Sequence, residues 1–144
     1  MSQKISFIDD QRGAVAFETM IVYIFIVASL LMPLADVAAA GFRFISAWAA
    51  LRGFGQYVQY NPPPDVTNAA AWQSSALAKA DPSFPISNFR LLCGDSSAAC
   101  SASNSNSPMY YSYTTTVTLA PIVLRSVLCP TSCTFTLPYS ERFN

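Results

Sequence analysis

The sequence predicts an α+β protein in which a long N-terminal transmembrane helix extends into a small domain holding a short helix and an antiparallel sheet. Three observations carry this prediction. Residues 14–35 are almost wholly apolar, and as a helix they would rise about 33 Å, enough to cross the hydrocarbon core of a bilayer. Residues 37–60 keep a helical pattern until Pro62-Pro63-Pro64 stops it. Residues 110–119 then switch to a period of two in β-branched and aromatic side chains, the mark of a half-buried strand.

Composition narrows the class. A chain of 144 residues holds one modest domain plus an appendage. Its formal net charge is zero and only 11% of residues are charged, so the basic patch of a nucleic-acid binder is missing. The 52% apolar content is concentrated in the first sixty residues, which suits a membrane anchor followed by a soluble remainder. The chain has no histidine, and so lacks the commonest acid–base and metal-binding side chain.

Residues 1–13 are short and polar, with Lys4 and Arg12 as cations and Asp9 and Asp10 beside them. Orientation follows Lys and Arg near the span, so this end is placed in the cytoplasm. Arg43 and Arg52 on the far side weaken that contrast, and the placement leans on the leader reading given below. The span, residues 14–36, must be helical because lipid offers no partner to a bare backbone group. Pro33, near its far end, predicts a kink or the exit from the membrane, and Asp36 reads as an interfacial charge that ends the span.

Residues 37–60 extend the helix, with apolar positions at Phe44, Trp48, Leu51 and Phe54 spaced to pack one face on a domain. Gly53 and Gly55 weaken its end. Residues 61–144 make up the domain. Within it, 65–80 predict a second helix with Thr67 or Asn68 as N-cap and Ala69, Trp72, Ala76 and Ala80 on one face. Residues 89–93 and 134–139 predict short strands, and 122–128 a strand or a helical turn. Residues 94–108, rich in Ser and Asn, predict a loop.

Glu18 is the residue that needs explaining. A carboxylate inside a membrane segment costs about 2.5–3.5 kcal/mol on insertion scales. If the buried part began after Glu18, only 17 residues would separate it from Asp36, short of the roughly 20 that a span needs. The functional alternative is a cut between Gly13 and Ala14. It would create an α-amino group at Ala14, with Glu18 four residues on and on the same helix face. The carboxylate could then pair with the amine of its own chain, or with that of a neighbour in a staggered parallel bundle.

The run Arg12-Gly13, then Ala14-Val15-Ala16-Phe17-Glu18, then an apolar helix, resembles the short-leader prepilins that a membrane aspartic peptidase cuts after glycine. More specifically it is similar to the TadE-like minor pilins, or pseudopilins, of the Tad branch of type IV pilus systems. Asp36, Gly41-Phe42-Arg43 and Ala49-Ala50-Leu51-Arg52-Gly53 echo that family, as do the Tyr-x-Tyr strand, the proline-bearing stretch 119–128 and the chain's last strand. Thr19, where an aromatic usually follows the glutamate, and the late Pro33 depart from it. The resemblance implies a pilin-like fold and a cytoplasmic leader of residues 1–13. It also implies a span in the bacterial inner membrane and a periplasmic domain that can end in an extracellular pilus. The implied partners are other pilin and minor pilin subunits, the prepilin peptidase, the inner-membrane assembly platform and, before assembly, membrane lipid.

Other candidates are weighed against plainer readings. Ala38-Ala39-Ala40 before Gly41 fits the small-x-small rule of signal peptidase, but the apolar stretch is long for a signal peptide and contains Glu18. Cys93, Cys100, Cys129 and Cys133 have neither histidine partners for zinc nor the Cys-x-x-Cys spacing of a redox site. Beyond the membrane they predict disulfides, and of three possible pairings the local ones, Cys93–Cys100 and Cys129–Cys133, are favoured. Arg43, Trp48 and Arg52 read as an interfacial anchor or a partner contact. Residues 110–113 read as strand packing or an adhesive surface, and 101–107 could carry glycans. With no catalytic constellation, metal or cofactor motif, the expectation is a non-enzymatic structural subunit. The alternative is a signal-anchored envelope protein whose outer domain binds a surface or cell-wall ligand.

Overall fold

The structure, a computed structural model, describes residues 11–94 and 98–143, with side chains from Val15 onward. It is α+β. One long helix runs through α1 (Gln11–Ile26), a π turn (Val27–Leu31) and α2 (Met32–Tyr60). After it come α3 (Ala70–Leu77), β1 (Ile86–Cys93), β2 (Ala98–Ala99), β3 (Met109–Thr118), a single turn α4 (Arg125–Leu128) and β4 (Thr134–Arg142). The strands form one antiparallel sheet in the order β2-β1-β3-β4.

Pro33 neither ends nor breaks the long helix. Proline has no N–H to give to Ser29 O and its ring crowds that carbonyl. The helix answers with the wider π turn just before it, where the Met32 N–H bonds Val27 O, five residues back. The 46-residue stretch Val15–Tyr60 is therefore continuous, long and apolar enough to cross a membrane.

The outer part of the helix is the domain's backbone. Its buried positions Ala47, Leu51, Phe54 and Val58 recur every three or four residues, Gly55 lies beside them, and the partly buried Ala40 and Phe44 carry the stripe back to Asp36. The stripe includes Ala47 where the sequence suggests Trp48, which stays 49% exposed and meets Tyr139 edge-on. Along β3, Met109, Tyr111, Tyr113, Thr115 and Val117 are buried and their alternates are not, the expected pattern for a sheet with one wet face. Leu51, Phe54, Val58, Ala69, Ala76, Leu91, Tyr111 and Tyr113 form the main core; Ala47, Val117, Leu119 and Cys129 form a second one nearer the N-terminal part of the long helix.

Gly55 is where helix and sheet come closest. A Cβ there would lie 2.5 Å from the Tyr113 hydroxyl and 2.6 Å from Glu141 Oε2. Gly53, two residues earlier, faces open space.

Several local expectations are corrected. The second helix spans only Ala70–Leu77 and neither Thr67 nor Asn68 caps it, because its N-cap position is Ala69. Asp65 takes the Thr67 N–H (2.8 Å) and hydroxyl (2.7 Å), which bends the backbone into a local turn before the helix can start. Residues 94–108 are not all loop: Leu92 and Cys93 pair with Ala99 and Ala98, and Ser101 bridges Asn104. β1 starts earlier than expected, at Ile86, and bulges between Ser87 and Arg90. Asn88 takes φ 53° there, a conformation Asn tolerates better than most residues. The 122–128 stretch resolves into the turn α4. β4 runs on to Arg142 as an edge strand, which is why Pro138 fits in it.

Candidate functional site

The residues singled out in the sequence fall at two places along one helix. The inner place is the junction at Gly13 and Ala14, with Glu18 one turn later. Residues 1–10 of the expected leader lie outside the described residues, as do the side chains of Gly13 and Ala14. Both positions are in α1. In the uncut chain the Ala14 nitrogen is a peptide N–H and cannot act as a cation, so the proposed pair requires the cut. Glu18 is exposed on the helix surface, and the Thr19 hydroxyl beside it bonds Val15 O at 2.8 Å. That bond satisfies a hydroxyl within its own helix, and it explains how Thr19 sits in an apolar segment without a partner chain.

Around Glu18 the helix is apolar on every side, and among the described residues nothing covers it. Phe17, Met20, Tyr23 and Phe25 are all more than 60% exposed. A surface of this kind in water would be a large destabilising patch. It suits lipid or other helices.

The outer place is Asp36, and the structure gives it a different role from a charge that merely ends the span. The residue is 7% exposed. Oδ1 accepts the Ile122 N–H at 3.0 Å, while Oδ2 accepts those of Val123 at 2.7 Å and Leu124 at 2.9 Å. Three donors and no acceptor are what an ionised carboxylate needs. Two turns further out, Arg43 Nη1 donates to Thr118 O at 2.7 Å. Asp36 and Arg43 together pin the segment after β3 to the helix, so Arg43 is a stitch and not a free recognition group.

The buried tyrosines continue the same line of contacts. Tyr113 donates its hydroxyl to Leu51 O (3.0 Å) and Tyr111 to Val58 O (3.1 Å). Burial pushes both phenols above their ordinary pKa, so they remain donors. Tyr111 stacks on Phe143 with ring centroids 4.1 Å apart, and Trp72 stacks on its ring while donating Nε1–H to Asn61 O at 2.9 Å. Residues 110–113 thus supply core on one side of the strand, with Tyr110 and Ser112 on the other.

The four cysteines form Cys93–Cys100 and Cys129–Cys133. The first closes the β1–β2 hairpin, and the second ties the base of the turn that carries α4. Among the described residues, no group of three His, Cys, Asp or Glu side chains gathers in a way that could hold a metal ion.

Asp36 is the residue that sequence reasoning undervalued. Its signal was phase: it stands four residues before Ala40 and eight before Phe44, on the stripe that faces the sheet. Comparison with known proteins gave no matching family model, no matching curated protein and no matching solved structure.

Proposed function

We propose that this chain is a minor pilin or pseudopilin of a Tad-type, type IV-like pilus, cut after Gly13 by a prepilin peptidase and held in the bacterial inner membrane until it is assembled. In this reading the leader is cytoplasmic and the sheet domain periplasmic. The observation that carries it is the length of the uncovered apolar surface. Exposed apolar side chains run along the helix from Val15 to Leu34, which lipid would cover. They then continue through Val37 to Phe42 and Ile45, 74% and 71% exposed. Those last two stand about 9 Å and 14 Å beyond Asp36 along the helix axis. A lipid anchor has no use for them, whereas a neighbouring helix would bury both regions at once.

Glu18 fits the same reading. In lipid it is an unpaired charge; beside the new amine of Ala14, in its own chain or in a staggered neighbour, it becomes half of an ion pair. Binding is then favoured only between chains that have been cut, and the carboxylate selects for processed partners. No reaction is assigned to the chain.

Mass spectrometry of the mature protein should find Ala14 as its first residue. An intact Met1, or a start at Gly41 from signal peptidase, would sink the proposal. Glu18→Ala should insert into membrane as the parent does yet fail to enter pili, and unaltered piliation would remove the pairing role while leaving the cut site untouched.

A further inference from the structure

We infer that the turn over residues 121–128 is a second membrane contact, inserting Ile122, Val123 and Val127 into the lipid head-group boundary beside the point where the helix emerges. The inference rests on the reading that residues 15–35 span a bilayer, and it adds a lipid-binding site that this reading does not need.

Register places the turn. Four contacts fix β3 and the segment after it against the helix: Tyr111 to Val58, Tyr113 to Leu51, Thr118 to Arg43, and Ile122 to Asp36. As the strand number rises, the helix number falls, so the two run antiparallel. Extended chain from residue 111 to 122 covers about 36 Å. Helix from residue 58 to 36 covers about 33 Å. The two lengths agree, so the segment follows the helix down without slack and delivers Ile122 at the level of Asp36. That level is the end of the span, since residues 15–35 rise about 31 Å and fill the hydrocarbon core.

What the segment does there is unusual for a water-facing turn. Ile122 is 86% exposed, Val127 70% and Val123 45%. The neighbouring Leu128 and Cys129 turn inward onto the second core, so the segment is not short of core-facing positions. Its backbone is fixed as well as its level. Asp36 holds three successive N–H groups, Cys129–Cys133 closes its base, and Leu119 N–H bonds Cys133 O at 2.8 Å. Arg125, exposed in the same turn, supplies a long cationic side chain of the kind that reaches lipid phosphates. Apolar side chains with an adjacent cation, held rigidly at the membrane boundary, match the chemistry of an anionic lipid interface.

The test uses the full chain reconstituted into vesicles of phosphatidylcholine and phosphatidylglycerol, some brominated near the glycerol end of the acyl chains. Ile122→Trp and Val127→Trp place a fluorophore in the turn, Tyr60→Trp places one at the far end of the helix, and emission is read as the difference from the parent chain. Both turn variants should show blue-shifted emission quenched by the brominated lipid, and Tyr60→Trp should show neither. Water-like, unquenched emission in a chain that resists carbonate extraction would overturn the inference while leaving the span intact. Blue-shifted emission without bromine quenching would assign the turn to a neighbouring chain, overturning lipid as its occupant. Release of the chain by carbonate would overturn the span itself and, with it, the inference.

Discussion

The inner and outer parts of the long helix share an axis, a helical backbone and an apolar composition, yet they meet different surroundings. Residues 15–35 present side chains of similar character in every direction, and no other described element buries them. Residues 36–60 are sorted: Leu51 and Val58 are fully buried against the sheet, while Phe42 and Tyr60 face outward. Hydrophobicity alone does not separate an uncovered surface from a core, since Phe42 and Ile45 are as apolar as Leu51; contact with the sheet does. The inner part shows no buried stripe because no described element packs against it. The outer part has one, Ala47, Leu51, Phe54, Gly55 and Val58, because the domain covers that side of it.

Mutations that respect or violate this division should separate the two parts, most sharply in the core. Leu51→Ala should destabilise the domain by about 2–5 kcal/mol, as truncation of a well-packed leucine does. Ile24→Ala, an equal loss of side chain in the inner part, should leave the same transition unmoved. Denaturant unfolding of the full chain in detergent, followed by near-ultraviolet circular dichroism of the aromatic core, measures both, and a similar loss in each would erase the distinction.

Asp36→Ala comes next. It strips three backbone N–H groups of their acceptor, and the expected cost is about 1–3 kcal/mol. The effect should be local, with faster amide exchange at residues 122–124 and little change at Tyr111. Slower or unchanged exchange there would show that the carboxylate does not hold the turn.

Two glycines on the same helix should differ in sign, and the second of them gives the smallest effect. Gly55→Ala pushes a methyl group into the Tyr113 hydroxyl and Glu141, costing about 1–3 kcal/mol. Gly53→Ala meets open space and should gain about 0.5–1 kcal/mol from helix propensity. Thermal melts of the two variants against the parent read the difference directly, and equal shifts would mean that helix and sheet are not in close contact at Gly55.

Much of this architecture is legible in the sequence wherever one element's own pattern decides it. The alternation of Tyr111, Tyr113 and Val117 marks the buried side of β3 before any partner is known, and Ala69, Trp72 and Ala76 mark the packed face of α3. Patterns fail where a distant residue decides. Asp36 looks like the end of a span because its three donors stand more than eighty positions away in sequence. Thr67 looks like a cap because nothing in a linear reading shows that Asp65 has already taken its N–H. The pairing of Ala98 and Ala99 is hidden because β1 recruits two small residues from a polar stretch through backbone bonds alone. Of the candidate site, the isolation of Glu18 among apolar neighbours is a sequence fact, whereas the junction before it is a chemical expectation that awaits the mature N-terminus.

The side-by-side register of β3 and the helix also has a mechanical meaning. A pull along the helix axis does not peel the domain away one contact at a time. Tyr111, Tyr113, Arg43 and Asp36 lie side by side along the line of force, so they share the load in shear and must give way together. A domain fastened in this way stays attached to its helix under tension that would unzip the same bonds if they were arranged across it.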